Sequence, residues 1–245
     1  MTSSGRKSVP GLILLLFAGD AAIVLASIAD WRSGGVFWRL TALLDLEGQG
    51  SAVTWYSSVQ LFMIAVLLAG FARHARARAA KRAWLLWLPA AIFAVLSFEE
   101  IGKLHELFRY RSGRLAPILP MRNSPFYAEH IWVVIVGAPV AAVLLALGWI
   151  LRRYLPRRDI TVKYLLGLAC FSGSGAAASL LARWLPPQDI WRAVAAAGNE
   201  LGVLVGGTVM LWATYELVVA HAVPFIQPSV RSPGDRPVAA PEPKA

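Results

Sequence analysis

The sequence is short of charge and almost free of cysteine. Cys170 is the single cysteine among 245 residues, so no disulfide can form within the chain. Charged residues make up only 16% of the sequence, hydrophobic residues make up 57%, and the mean hydropathy is +0.57. An ordinary soluble domain carries about 25% charged residues. The composition therefore excludes an ordinary soluble domain and predicts a membrane protein.

Long apolar stretches recur along the chain. A helix needs about 20 residues to cross a hydrocarbon core of ~30 Å, and helices satisfy their own backbone hydrogen bonds there. We predict an all-α polytopic membrane helix bundle, a single domain over residues 1–223, followed by a disordered Pro-rich cytoplasmic tail over residues 224–245. The six predicted transmembrane helices cover residues 11–29, 55–72, 83–102, 131–151, 164–184 and 196–221.

The basic residues are sorted by side of the membrane. Fifteen of the 24 Lys and Arg residues lie in the N-terminus, the loops after the second and fourth predicted spans, and the tail. Cytoplasmic loops retain positive charge during insertion, so we predict an inner (cytoplasmic) membrane protein with both termini in the cytoplasm, N-in and C-in. The basic loops are short and flank spans, which predicts contact with anionic lipid headgroups and not nucleic-acid binding.

The first apolar stretch has a second interpretation. Residues 1–29 resemble a cleaved signal peptide, with Arg6 and Lys7 as the basic n-region and 27–29 as a small-residue cleavage site. Asp20 interrupts what would be the apolar h-region, which favours a retained span.

Two carboxylates close the third predicted span. The sequence there reads Glu99-Glu100, and His105-Glu106 follows. Acidic residues at the end of a membrane helix are costly unless they are paired or hydrated, so they mark a functional site by default. Neither HExxH nor HxxxH occurs in the chain, which excludes a zincin-type helix. We predict that these residues close a site together with other helices.

Depth in the membrane supplies the other members of this site. The outer ends of the fourth and sixth spans place His130 and Glu200 near the level of Glu99 and Glu100. Carboxylates and His ligands from different helices are the usual way in which a bundle holds a divalent metal, and a Glu beside the metal can act as general base. The predicted metal ligands are Glu99, Glu100, His105, His130 and Glu200, and the predicted catalytic residues are Glu100 and Glu106.

A structural interpretation of the same acids stays open. Glu99 can pair with Lys103 four residues later, and Glu106 can pair with Arg109 or Arg111. The segment would then be a solvated helix end.

Asp20 is an intramembrane polar residue that lies nine residues into the first predicted span, about 13 Å deep and close to the bilayer midplane. A carboxylate at that depth can relay protons or bind a cation. Alternatively it is protonated and hydrogen-bonded to Ser172 or Ser174 of a neighbouring helix.

Three glycines form a ridge on the last predicted span. Gly198, Gly202 and Gly206 are spaced as GxxxGxxxG, a pattern that permits close approach of helices. The ridge predicts helix packing, including oligomerisation through these glycines.

Three segments together resemble an uncharacterised family of bacterial multi-pass membrane proteins. They are the acidic, Gly-containing loop that enters a Trp-Tyr-Ser-Ser helix start over residues 45–58, the acidic pair followed by His-Glu at residues 99–106, and Asn199-Glu200 ahead of Gly206-Gly207. Glu99 stands where the relatives have Asp, and the last patch has fewer acids. The resemblance covers residues 45–216 and implies a shared architecture without an assigned activity.

Two functions from different classes follow as expectations. The first is an outer-face Glu/His site for metal-assisted hydrolysis or transfer on a lipid-like substrate that enters between helices. The second is a non-enzymatic transporter or sensor that uses Asp20 and Glu200, or an accessory subunit that packs through the glycine ridge.

Overall fold

The computed structural model describes residues 9–33, 51–78, 83–102, 158–182 and 190–221, with four further helical positions at 146, 148, 149 and 152. These parts of the chain contain five α-helices and no strand. The helices are α1 (Gly11–Arg32), α2 (Ala52–Ala77), α3 (Trp87–Gly102), α4 (Arg158–Ala182) and α5 (Ile190–Ala220).

Local chemistry accounts for where α2 and α3 begin. The hydroxyl of Ser51, the N-cap of α2, accepts the backbone N–H of Thr54 at 3.4 Å, which satisfies one of the free donors of the first turn. A 3₁₀ turn over Ala83–Leu86 leads into α3. Pro89 is the third residue of α3, and a proline is tolerated in a first turn because its missing N–H would have no helical acceptor there.

Four helical stretches are long and apolar enough to cross a membrane: Gly11–Asp30, Ala52–Ala77, Ala83–Gly102 and Val194–Ala220. They coincide with the predicted spans 11–29, 55–72, 83–102 and 196–221. The predicted all-α class is therefore confirmed for the described residues. The predicted span 131–151 falls almost wholly outside the described residues, as does the whole predicted tail over residues 224–245.

The predicted span 164–184 corresponds to α4, which begins earlier, at Arg158, and is not among the four candidate spans found in the described residues. Its first turns carry Arg158, Asp159 and Lys163, and its middle is built from Ser and Gly. The helix packs on α5 along much of its length, and its small residues serve this packing. The fifth crossing, through α4, stays a prediction.

Contacts between ends fix the relative directions of two helix pairs. Ser58, near the start of α2, is hydrogen-bonded to Ser97, near the end of α3, so these helices are antiparallel. Lys163, near the start of α4, pairs with Glu216, near the end of α5, and this pair is antiparallel too.

Helices α2 and α5 run in the same direction. Gln60 of α2 contacts Thr208 of α5, and eleven residues further along α2 the ring of Phe71 packs on His221 just after α5, with 4.8 Å between ring centroids. Both contacts advance along the two helices in the same sense. It follows that α3 and α4, each antiparallel to one of this pair, also run in the same direction.

The first helix lies against α5 and the start of α2. Val24 shares a buried cluster with Val53, Ala197 and Leu204, and Asp20, one turn earlier in α1, contacts Gln60 further along α2. α1 is therefore antiparallel to α2. The main apolar core lies beside this contact, between α2, α3, α4 and α5, and contains Leu61, Ile64, Leu68, Phe71, Phe93, Tyr164 and Leu217.

Helices α4 and α5 approach each other closely at glycines. A Cβ added to Gly206 would lie 2.6 Å from the backbone nitrogen of Phe171 and 2.7 Å from the carbonyl oxygen of Gly167. A Cβ on Gly202 would overlap the Ser174 side chain. Two glycines of the predicted ridge therefore pack inside the chain. Gly198 has open space around it, and oligomerisation through the ridge stays a prediction.

Candidate functional site

Three polar side chains from three helices meet in the interior. Asp20 of α1, Gln60 of α2 and Thr208 of α5 are at most 1% exposed, and together they are named the Asp20 cluster. Gln60 Nε2 donates to Asp20 Oδ1 at 3.1 Å and to Thr208 Oγ1 at 2.8 Å. Thr208 Oγ1 donates to Asp20 Oδ2 at 2.8 Å. Each contact is thus a good hydrogen bond, and the three bonds form a closed ring.

Small residues and one tyrosine make space for this ring. Gly207, beside Thr208, leaves room for Gln60 Oε1, which a Cβ at that position would overlap. Gly19, beside Asp20, lets the Tyr56 hydroxyl approach α1, where it donates to the carbonyl oxygen of Leu16 at 2.9 Å. The ring therefore depends on close approach of backbone and side chain at two glycines.

Within the described residues, the hydrogen-bond partners of the Asp20 carboxylate are neutral. An amide and a hydroxyl donate to its two oxygens, in place of the positive group that usually accompanies a buried carboxylate. Gln60 gives both of its N–H groups to the ring, and its own Oε1 is buried without a hydrogen-bond partner. The cluster thus has an unfilled acceptor, which costs about 1–3 kcal/mol in a protein interior.

The structure corrects one interpretation of Asp20. The proposed partners Ser172 and Ser174 lie on α4, whereas the residues that bind Asp20 lie on α2 and α5. Ser172 is exposed, and the Ser174 hydroxyl is directed at the Phe171 carbonyl of its own helix, 3.5 Å away. The expectation failed because depth gives the level of a residue along its helix but not the neighbour that the residue faces.

The predicted outer-face site is only partly within the described residues. Glu99 and Glu100 lie in the last turn of α3, and Glu200 lies in α5 near Asn199, whose Nδ2 donates to Glu200 Oε1 at 3.3 Å. These two helices do not pack extensively on each other, and the described residues hold no group of three potential metal ligands. His105, Glu106 and His130 lie outside the described residues, so the metal site and the catalytic pair stay predictions.

The Trp-Tyr-Ser-Ser segment takes part in the contacts between helices. Trp55 is exposed, whereas Tyr56 bonds to α1 and Ser58 bonds to α3. Ser58 Oγ donates to the Ser97 carbonyl at 2.9 Å, and Ser97 Oγ donates to the Ser58 carbonyl at 2.9 Å. The segment thus links α2 to the helices on both sides of it.

Replacing Ser58 and Ser97 with alanine should show how strongly this pair couples α2 to α3. Interhelical hydrogen bonds in membrane proteins average about 0.6 kcal/mol, with a maximum of about 1.7. The single variants should each lose about 1 kcal/mol of the free energy of unfolding. Because each hydroxyl donates to a backbone carbonyl that the alanine variants retain, the two bonds are lost independently and the double variant should lose about the sum. A loss in the double variant well below the sum would contradict two separate bonds to the carbonyls.

Sequence reasoning missed Gln60 and Thr208. Gln60 is a single polar residue between Val59 and the apolar run that begins at Leu61. Thr208 follows the Gly206-Gly207 pair. A single uncharged polar residue in a membrane helix most often bonds to its own helix, as Thr214 does to the Met210 carbonyl at 2.8 Å. The signal was therefore present, but nothing in the sequence tied these residues to Asp20.

A second polar contact lies at the opposite end of α5. Lys163 Nζ lies 2.7 and 2.8 Å from the two carboxylate oxygens of Glu216 and 4.0 Å from the centre of the Trp212 ring. The ion pair is partly exposed and joins the start of α4 to the end of α5.

Comparisons with known proteins give one match. A family model described as "Domain of unknown function (DUF8692)" matches residues 12–219. No curated protein and no solved structure matches the chain. The matched range includes all three members of the Asp20 cluster and all five described helices except their outermost residues.

Proposed function

We propose that this chain, which belongs to the DUF8692 family, is a multi-pass inner-membrane transporter in which a cation binds reversibly at Asp20. The observation that carries the proposal is the fully buried carboxylate in the middle of an apolar helix, whose two oxygens accept hydrogen bonds from an amide and a hydroxyl. It is a non-enzymatic function, driven by an ion and not by a chemical reaction.

Energetics favour an ion-binding role for Asp20 over a purely structural one. An ionised Asp at the centre of a membrane helix costs about 2.5–3.5 kcal/mol on insertion scales. A polar link between helices does not require this cost, because Asn or Ser can supply the same hydrogen bonds. A carboxylate held by neutral dipoles has one property that an amide lacks, which is the ability to gain and lose a positive ion.

The helix directions support six spans. α3 and α4 run in the same direction, so the chain that leaves α3 at one face must return to the other face before α4 begins. The predicted span 131–151 supplies that return. With α1 antiparallel to α2, and α2 antiparallel to α3, the six crossings alternate and leave both termini on one side.

Charge and packing support the remaining parts of the topology. The termini and the loops after the second and fourth spans carry most of the Lys and Arg residues, which supports a cytoplasmic position for them, against anionic lipid headgroups. α1 contributes Asp20 to the interior of the bundle, which supports a retained span over a cleaved signal peptide.

The binding of a cation at Asp20 can be tested by stability. A ligand that binds the folded protein alone raises its melting temperature. The melting temperature of the wild-type protein in lipid nanodiscs should change with pH, or with NaCl against choline chloride at constant ionic strength, in a way that Asp20→Asn abolishes. Asp30→Asn, the same change near the end of the same helix, is the matched control. Equal responses in wild type and Asp20→Asn would contradict the proposal.

A second function is favoured by a different observation. A cavity of about 340 Å³ lies between α4 and α5 and includes Asn199, the residue before Glu200, in its lining. Its lining residues are mostly small and apolar: Ser174, Ala177, Ala178, Trp191, Val194, Ala195, Gly198 and Asn199. This groove would suit a lipid-like substrate for the predicted outer-face site, with Glu99, Glu100, His105, His130 and Glu200 as ligands of a divalent metal and Glu100 or Glu106 as base.

Metal content decides between the two functions. Stoichiometric metal in purified wild-type protein, lost in both Glu100→Ala and His105→Ala, would establish the outer-face site. Absence of metal from the wild-type protein after loading with Zn²⁺ or Mn²⁺ would exclude it.

The glycine ridge offers an independent contact for assembly, since the open face at Gly198 is accessible to a second copy of the chain.

A further inference from the structure

We infer that the cation bound at Asp20 is a proton, that it binds at Oδ2, and that the Thr208 hydroxyl accommodates it by reversing the direction of one hydrogen bond. This inference rests on the proposed function and names the ion that the site takes. It follows from a count of the hydrogens in the Asp20 cluster.

All the hydrogens of the cluster are committed in the ionised form. The two N–H hydrogens of Gln60 point to Asp20 Oδ1 and to Thr208 Oγ1, and the hydroxyl hydrogen of Thr208 points to Asp20 Oδ2. Three hydrogens thus fill three contacts. The arrangement stabilises a negative carboxylate, because hydrogen bonds to an ionised acceptor are roughly twice as strong as neutral ones.

A metal cation does not fit this arrangement. Hard cations such as Mg²⁺ and Ca²⁺ take six or more oxygen ligands at more than about 2 Å. Here both carboxylate oxygens already face hydrogens, and the ring is closed by contacts of 2.8–3.1 Å. Its three residues are at most 1% exposed. Binding a metal would require the amide and the hydroxyl to turn away. A proton adds no volume and displaces no side chain.

The protonated form keeps the three contacts of the ring. The proton forms a bond to Asp20 Oδ2, which then donates to Thr208 Oγ1, while Gln60 continues to donate to Asp20 Oδ1 and to Thr208. The Thr208 hydroxyl turns its own hydrogen away from Asp20. The carbonyl four residues earlier is the acceptor that helical Thr residues use, as Thr214 does with Met210 in the same helix.

The hydroxyl is therefore the selective element of the site. An oxygen that carries one hydrogen and two acceptor positions can donate to a carboxylate and accept from a carboxylic acid. Neither the Gln60 amide nitrogen, which only donates, nor an apolar side chain can do both. Thr208 positions the proton on Asp20 without itself gaining a charge.

Among the described residues, few other titratable groups lie near Asp20. α2 places the Tyr56 hydroxyl beside the Asp20 side chain, where it donates to the Leu16 carbonyl. On α5, Glu200 and Glu216 lie eight residues to either side of Thr208, about 12 Å away along the helix, and Glu216 is held by Lys163. On α1, Asp30 lies ten residues away near the helix end.

Infrared difference spectroscopy of the full chain in nanodiscs tests the inference directly. Acidification of the wild-type protein should produce carbonyl stretches of carboxylic acids, and the component due to Asp20 should be missing from Asp20→Asn. Thr208→Ser keeps the hydroxyl and should keep the pH midpoint of the band. Thr208→Val removes it and should displace the midpoint by about one pH unit, the equivalent of one charge-assisted hydrogen bond. Thr208→Ala serves if the valine variant does not fold.

Each outcome separates the inference from the function on which it rests. A melting temperature that responds to Na⁺, with no carboxylic-acid band from Asp20 at any pH, would overturn the proton and leave cation binding intact. No response to pH or Na⁺ would overturn both. An Asp20 band with the same midpoint in wild type, Thr208→Ser and Thr208→Val would retain the proton and overturn the role of Thr208.

Discussion

Gly206→Ala is expected to separate α4 from α5 and to destabilise the protein by about 3 kcal/mol, the upper part of the range for overpacking a close contact. The added methyl group would lie 2.6 Å from the backbone nitrogen of Phe171 and 2.7 Å from the carbonyl oxygen of Gly167. Both are backbone atoms, so no side chain can rotate to make room. The helices themselves must move, and a denaturant titration of the detergent-solubilised protein measures the loss.

The same ridge contains the control for this variant. Gly198 lies two turns earlier on α5 and has no atom within 4 Å of its added Cβ. Gly198→Ala makes the same chemical change in the same helix and should stay within about 0.5 kcal/mol of the wild type. Gly167→Ala fills the same contact from α4 and should be as severe as Gly206→Ala. Equal losses for Gly198→Ala and Gly206→Ala would mean that glycine serves helix flexibility and not close packing.

Composition and the length of the apolar runs were enough to predict the helices. They were not enough to predict which helices pack on one another. The apolar stretches that begin at Gly11, Ala83 and Val194 are set by local sequence, because a membrane span requires a continuous apolar run. The spacing of Gly202 and Gly206 likewise predicted a packing face on α5. The identity of the helix on that face, α4, depends on tertiary contacts that the spacing does not encode.

The Asp20 cluster shows the same limit more sharply. Asp20 stands out in the sequence because a charge within an apolar run is costly. Its partners Gln60 and Thr208 are 40 and 188 residues away, and an uncharged polar side chain in a helix has many alternative acceptors. Depth alone suggested serines of α4, which lie at a comparable level but on a helix that does not face Asp20.

The outer-face site was predicted by the same use of depth. Glu100 and Glu200 were placed together because both lie near outer helix ends. In the described residues α3 packs mainly on α2, and α5 packs on α4, α2 and α1, so the meeting of the two acids stays a prediction. A metal site that joins them would need ligands from the chain between α3 and α4, which is where His105, Glu106 and His130 lie in the sequence.

Asp20→Leu is expected to lower the free energy of unfolding by about 1–3 kcal/mol, because it leaves a buried N–H of Gln60 without an acceptor. Thr208 can turn its hydroxyl to its own helix, so the amide carries most of the loss. Asp20→Asn keeps the size of the side chain and one carbonyl oxygen, and it should stay within about 1 kcal/mol of the wild type. Unfolding titrations of both variants at one pH give the comparison.

The contrast between these two variants separates structure from ion binding. If Asp20 served packing alone, Asp20→Asn would match the wild type both in stability and in its response to pH. A site that takes a proton instead predicts a variant that is folded and nearly as stable but lacks the part of the pH response that Asp20 supplies, because an amide does not titrate in this range. Gln60→Leu completes the comparison: it removes a donor from the ionised carboxylate, so it should favour the protonated form while Asp20 still titrates.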